Sequence, residues 1–424
     1  MWRFYVYSII GIICFFVPIT IGENNTIIID HIVNWLKVSL APVLPYYVLL
    51  LIIVGAIYPF LNGSWKKSFT DLSFTIFKIL GVIVGFMVVF EVGPEFVLLP
   101  DLGPFLFEKL AVPLSLLIPI GSVFLSLLVG YGLLEFIGVL CRKFMRPVFN
   151  TPGKSAVDAV ASFVGSYSIG LIITNKVYKE GHYTHKEAVI IATGFSTVSA
   201  TFMIIVAKTL GIMDHWNLFF WSTLVITFIV TAITVHIPPI KFESNKTYND
   251  IPYKEEISKG MPLLKEAYSE AKEAIKHANT LLQNIIINIK DGVVMTMAIM
   301  PSIMSIGLLG LLVAKYTPII KYASLIFYPI LSLFPGINVP VLAEASTLSV
   351  IEMLLPAAIS QDADLITRFT TGVMSISAII FFSSVVPVIV STDIKIPIWK
   401  LVVIWFERVV LTLLITIPFA LFIF

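Results

Sequence analysis

The chain has 424 residues, 58% of them hydrophobic and only 13% charged, with a mean hydropathy of +0.96 and a formal net charge of +2. A soluble domain carries about 25% charged residues, and a β-barrel would alternate apolar and polar positions along every strand. Both classes are therefore excluded, and so small a net charge implies no nucleic-acid partner.

Runs of about 20 apolar residues suffice to cross a ~30 Å hydrocarbon core as helices. They predict helices at 2–22, 42–61, 74–92, 113–141, 187–212, 216–237, 292–314, 367–391 and 399–423. The first run has one Arg and no Ala-x-Ala-like site, so it reads as a retained span, not a cleaved signal peptide. Cys14 and Cys141 lie in or at the end of apolar runs and suggest neither a disulfide framework nor a zinc site. Two weaker segments sit between the strong runs, 156–174 (AVDAVASFVGSYSIGLIIT) and 339–355 (VPVLAEASTLSVIEMLL). Both are rich in small and hydroxyl residues, and both carry acids.

Arg3, Lys66, Lys67, Arg142, Lys143 and Arg146 share one side if the first four spans alternate, and the positive-inside bias makes that side cytoplasmic. The N-terminus is then cytoplasmic, and the polar stretch 238–290, with eight Lys and no Arg, belongs on the same side. This parity holds only if 156–174 enters and leaves on one side, as a re-entrant hairpin. The same count makes 339–355 re-entrant from the outside and keeps Lys395 and Lys400 inside. Residues 262–290 are predicted as one amphipathic helix with a stripe of Ala267, Ala271, Ala274, Ala278, Leu281 and Ile285. It is expected to lie on the cytoplasmic membrane surface or to pack on the bundle.

An internal repeat supports the two dips. Pro119 and Pro301 are 182 residues apart, as are Pro147 and Pro329. The octapeptide from Thr193 to Ala200 matches that from Thr371 to Ala378 at four of eight positions. One copy starts outside and the other inside, which is the pattern of inverted-repeat transporters whose discontinuous helices meet at mid-membrane. The expected fold is an all-α polytopic membrane protein, an inverted-repeat transporter bundle with two re-entrant hairpins. Its divisions are N-terminal scaffold helices (1–93), a first repeat (113–237), a cytoplasmic amphipathic connector (238–290) and a second repeat (292–424).

Broken helix ends at membrane depth survive only against protein or a wet cavity, and there they offer free N–H and C=O groups to a solute. The first hairpin is expected to break near Gly165–Gly170 and the second near Ser346 and Thr347. Candidate solute-binding residues are Ser166, Tyr167, Ser168, Asn175, Ser196, Thr197, Glu344, Ser346 and Thr347. Acids at this depth cost roughly 2.5–3.5 kcal/mol each, so Asp158, Glu344 and Glu352 are candidates for ion coupling, with Na+ or H+ as the ion. The plainer alternatives are an interfacial Asp158 paired with Lys154, a Glu352 that caps a half-helix, and hydroxyls bonded back to helical carbonyls. No enzyme signature appears. His182-Tyr-Thr-His185 lacks the acid of a zincin helix, Ser166-Tyr-Ser168 lacks a nucleophile elbow's context, and no phosphate-binding loop is present. No resident cofactor or metal is expected.

The run from Phe163 to Ile212, FVGSYSIGLIITNKVYKEGHYTHKEAVIIATGFSTVSATFMIIVAKTLGI, resembles the YjiH-type nucleoside-recognition ("Gate") domain membrane proteins. Glu352-Met-Leu-Leu-Pro356 and Ile379-Ile-Phe-Phe-Ser-Ser384 resemble the C-terminal part of that family. The resemblance implies the architecture of concentrative nucleoside transporters: two inverted repeats, each with a re-entrant hairpin and a partly unwound helix, holding substrate between them. The expected function is secondary active transport of a small polar organic solute, amino acid-, dipeptide- or nucleoside-like, across the bacterial cytoplasmic membrane. A nucleoside-specific carrier, and a non-transporting subunit or metal-ion gate acting with a partner protein, stay open as alternatives. The expected partners are the lipid bilayer and the solute, with a homo-oligomer also left open.

Overall fold

In hydrocarbon every backbone N–H and C=O must find its partner within the segment, and the apolar runs accordingly fold as helices. The computed structural model describes residues 1–21, 24–66, 69–153, 155–164, 167–198, 200–253, 262–383, 385–390 and 392–424. Six helices among them are long and apolar enough to cross a membrane: Leu44–Leu61, Asp71–Phe90, Glu95–Phe124, Met213–Thr234, Leu281–Tyr316 and Ile398–Ile423. The architecture is that of an all-α polytopic membrane protein, apart from one short β-hairpin.

Five predicted runs are corrected. The run 2–22 ends as a helix at Phe16, because Pro18 pushes Val17 into an extended conformation. Strands β1 (Pro18–Ile21) and β2 (Asn24–Ile27) then pair antiparallel and lead into a helix at Ile28–Ser39. The run 113–141 is two helices, Val112–Val129 and Leu133–Phe149, separated by a turn in which Gly132 takes φ +93°, open only to glycine without strain. The amphipathic run 262–290 also divides. Its first part is the helix Leu263–His277, and Thr280 caps a new helix, Leu281–Ser302, through a reciprocal box with Gln283. The long runs 187–212 and 367–391 each break in the middle, as described below.

The helix Leu263–His277 packs on the bundle. Ala267 and Ala271 are fully buried, and a Cβ added at Gly132 would meet the Ala271 carbonyl oxygen at 2.7 Å. Arg142 pairs with Glu266 at 2.7 Å across the same contact. Small residues also let the N-terminal helices grip the span Leu281–Ser302. A Cβ at Gly55 would lie 1.8 Å from the Met297 carbonyl oxygen, and one at Gly81 2.0 Å from that of Pro301. The helices that carry the repeat-related prolines, Val112–Val129 and Leu281–Ser302, also pack on each other, with Gly292 against Pro119 and Ser122.

Polar contacts define the two ends of the bundle. At the near end, Arg146 pairs with Glu187, Lys186 reaches the Lys241 carbonyl, and Lys400 pairs with Glu243. At the far end, Lys208 pairs with Asp30, Lys315 with Asp101, and Arg368 donates to the carbonyls of Leu210 and Gly211. The C-terminal helix Ile398–Ile423 joins the two ends, with Lys400 at one and Phe424, edge-on to His215 and Phe369, at the other.

Candidate functional site

Two helical hairpins face each other from opposite ends. The first comprises Ser155–Val164 and Tyr167–Lys179. Its limbs are so close that a Cβ at Gly170 would fall 1.8 Å from the Ser162 Oγ. A ten-residue limb rises about 15 Å, roughly half of a ~30 Å core. Arg146 leads into this hairpin and Glu187 follows it, and the two are ion-paired at 2.9 Å. Both feet therefore stand at the near end. The second hairpin comprises Val339–Leu348 and Leu355–Ser360. Its feet stand at the far end, where the Asn338 N–H donates to Thr367 Oγ1 at 3.3 Å beside Arg368.

Each hairpin is followed by a broken helix. The first runs His185–Gly194, breaks, and resumes at Ala200–Thr209. The second runs Leu365–Ser377, breaks, and resumes at Val385–Val390. The second break holds Ile379 at φ +60°, a left-handed conformation that a β-branched residue adopts only under constraint. The constraint is visible: the N–H groups of Phe382 and Ser383 donate to the carbonyls of Val350 and Ile351 in the turn of the second hairpin, at 2.8 and 3.0 Å. Packing between the halves is crosswise. The second limb of the first hairpin lies on Val385–Val390, and the second limb of the second hairpin lies on Ala200–Thr209. Tyr167, at the start of the first hairpin's second limb, meets Phe381 in the second break edge-on, with ring centroids 6.1 Å apart.

The candidate residues separate by what their polar atoms touch. Ser166 lies outside the described residues, and Ser168 lies in the first turn of Tyr167–Lys179. Ser346 and Thr347 bond back to the carbonyls of Leu342 and Ala343 at 2.7 and 3.0 Å, and Ser196 to that of Ile191 at 3.3 Å. The second hairpin does not turn at Ser346 and Thr347, as predicted, but at 349–354, because these back-bonds are compatible with helix. Glu352 receives the Leu354 N–H and so holds the start of the short helix Leu355–Ser360. Asp158 is buried and accepts from the Tyr183 hydroxyl at 2.8 Å, tying the first limb to the loop that follows the hairpin. Thr197 Oγ1, in the first break, is buried without a partner among the described residues. Glu344 is half-buried on the first limb of the second hairpin.

Asn175 serves the foot of the first hairpin, not its tip. Its amide donates to the Asp393 carboxylate at 3.3 Å and accepts the Asp393 N–H at 2.9 Å, while Lys179 pairs with the same carboxylate at 3.1 Å. Lys179, then Asn175, hold the Asp393 carboxyl below its usual range. A depressed carboxyl pKa stabilises the folded state above the unfolded value of about 3.9 and is lost as pH falls through the folded value. The foot of the hairpin is thus expected to loosen only below about pH 4. Hydrogen exchange of the amides around Lys179 checks this, since Asp393→Asn should raise their exchange at neutral pH to the level of the acidified wild type.

A polar seam that the sequence reading did not single out runs beside these breaks. Thr223, Thr227 and Thr231 repeat every fourth residue on one helix, and Arg408, Thr412 and Thr416 on the C-terminal helix that packs against it. All six are buried, and Arg408 is 0% exposed. The available signal was a lone basic residue, next to Glu407, in an otherwise apolar span.

A separate cavity of about 260 Å³ opens at the far end, lined by Asn34, Lys37, Lys109, Lys208 and Gln361 among others. Burial, with the charges of Lys208 and Lys109 beside it, pulls the Lys37 ammonium below its ordinary range.

Comparison with known proteins finds similarity to membrane proteins and to one family model over part of the chain. Residues 111–213 match the family model described as "Gate: Nucleoside recognition". An uncharacterized protein of Alkalihalophilus pseudofirmus is 28% identical over 97% of this chain and 92% of its own length. The sporulation integral membrane protein YlbJ of Bacillus subtilis is 29% identical over 93 residues, 22% of each chain. Among solved structures, CNTnw in an inward-facing substrate-bound state aligns over 99% of this chain and 88% of that one, at 13% identity and a TM-score of 0.43.

Proposed function

We infer that the chain is a secondary active transporter of a small polar organic solute in the bacterial cytoplasmic membrane. One observation carries this reading: two half-length hairpins stand on opposite ends of the bundle, and the breaks of two further helices lie between them. Unpaired backbone groups and helix-dipole ends at such breaks can replace the hydration shell of a solute at mid-membrane. Residues 113–237 and 292–424 then act as the two halves, with 1–93 as scaffold and 238–290 as connector. The near end, with Arg142, Arg146, Lys179, Lys186 and Lys400, is the cytoplasmic one by the positive-inside rule, so the N-terminus is inside. Thr197 and Glu344 are the residues most free to meet a solute, Tyr167 stands beside the second break against Phe381, and Glu344 carries the coupling charge.

The description of the matched family favours nucleosides as the first solutes to try, and a nucleoside-specific carrier is the second reading. For a metal-ion gate the donors are sparse: among the described residues, no group of three or more His, Cys, Asp or Glu side chains could hold a metal ion. The test is uptake of labelled nucleosides, amino acids and dipeptides into proteoliposomes, with and without a Na+ or H+ gradient. Cysteine labelling in the same membranes supplies the geometry. Lys179→Cys is expected to react from the cytoplasmic face and Arg368→Cys from the outer face. Reaction of both from one face would remove the opposed hairpins, and with them the transporter reading.

A further inference from the structure

Arg408 lies at the point where both broken helices end their first halves. Its Nε donates to the carbonyl of Ser377, the last residue of Leu365–Ser377, at 2.8 Å. Its Nη1 donates to Thr231 Oγ1 at 3.0 Å, and that hydroxyl shares its one proton between the carbonyls of Thr227, at 2.8 Å, and of Gly194, the last residue of His185–Gly194, at 2.9 Å. Thr412, one turn further along the same helix, donates to Ser377 Oγ at 2.9 Å. The guanidinium is completely buried, no carboxylate among the described residues lies within ion-pairing distance, and its Nη2 has no partner there.

A lone charge so deeply buried is costly, and what faces it here is not an acid but two helix C-termini. Each carries orphan carbonyls and the negative end of a helix dipole, about half an elementary charge. Together they amount to about one negative charge, which one guanidinium balances. In inverted-repeat transporters such unwound carbonyls and half-helix C-termini are where a coupling cation binds. The geometry points to Arg408 as a built-in cation that permanently fills this place, so that the junction of the two broken helices needs no Na+. Arg408 is a positioning residue: it fixes both breaks through their carbonyls, and coupling, where it occurs, falls to a carboxylate elsewhere. The assignment rests on the breaks themselves and not on the transport reading, so it survives if no solute is found.

The test uses the purified full chain in detergent and reads thermal stability, which needs no substrate. Wild-type protein is expected to melt at the same temperature in NaCl, KCl and choline chloride. A rise with Na+ of more than about 2 °C, the mass-action signature of a bound ion, overturns the proposal. Arg408→Gln, which keeps length and polarity but removes the charge, is expected to lower the midpoint by on the order of 5 °C or more. Arg408→Lys should lose clearly less. Equal losses in the two variants mean that packing and not charge is at stake, and overturn the idea. In Arg408→Ala, millimolar guanidinium or Na+ is expected to restore part of the lost stability, and restoration by neutral urea to the same extent counts against it. Where none of the variants folds, the salt series on the wild type decides alone.

Discussion

Glu344→Gln is expected to lower gradient-driven uptake tenfold or more, ~1.4 kcal/mol or more in the rate-limiting barrier, while leaving the melting temperature within about 2 °C. The residue stands five positions into the ten-residue limb Val339–Leu348, which places it about 7–8 Å from the foot of the hairpin. Its side chain is half-buried, and the hydroxyls on the next turn do not serve it, since Ser346 and Thr347 are bonded back to their own helix. The two other acids of the hairpins are committed. Asp158 is held by Tyr183, and Glu352 by the Leu354 N–H. A carboxylate at this depth with no such commitment among the described residues is the one that can trade a proton or receive a cationic group during transport. The amide keeps shape and hydrogen bonding and removes only the charge. Uptake and exchange measured on the same vesicles separate the roles: loss of net uptake with exchange retained assigns coupling, loss of both assigns binding. Unchanged uptake would falsify the assignment.

Part of the fold was legible in the residues. Spans were, because about 20 apolar residues in a row can do little else in a membrane. So was the need for two segments that turn back, because the distribution of Lys and Arg permitted no other parity. The breaks in the long helices were not legible from hydropathy. Phe195–Val198 and Ala378–Ser383 contain neither Gly nor Pro, and their apolar and hydroxyl side chains suit a continuing helix as well as a broken one. Their geometry comes from tertiary bonds, as where Phe382 and Ser383 give their N–H groups to the turn of the second hairpin and Ile379 is held left-handed to let them do so. Only the family resemblance carried the expectation of unwound helices. The turn of the second hairpin was placed too early for a related reason. Small hydroxyl residues look like breakers in sequence, yet Ser346 and Thr347 satisfy themselves within the helix, and the acid at Glu352 supplies the real boundary. Arg408 was visible as a letter and invisible as a function, since its meaning depends on which carbonyls, 31 and 214 residues away in sequence, end beside it.

A loss of stability comparable to that of Arg408→Gln is expected from Lys208→Met. Lys208 closes the first broken helix at the far end and pairs with Asp30, on the helix Ile28–Ser39, while also donating to the Asn34 side-chain oxygen at 2.9 Å. The two partners are unequally placed. Asp30 is 3% exposed, whereas the Lys208 side chain retains 25%. Removing the lysine leaves a buried carboxylate with, among the described residues, only the Asn34 amide, at 3.2 Å, to replace it. Breaking a buried pair from that side costs about 3–5 kcal/mol, a fall in melting temperature of roughly 3–6 °C for a chain of 424 residues. Asp30→Asn should cost much less, because the abandoned ammonium can turn to water in the adjacent cavity. The double variant, Asp30→Asn with Lys208→Met, should then recover most of the loss, since it leaves no unpaired charge behind. Thermal unfolding of the four proteins closes the cycle. If Lys208→Met and the double variant melt together, the loss comes from packing around the lysine stem. The Ile28–Ser39 helix would then be held to the first broken helix by contact alone, and not by charge.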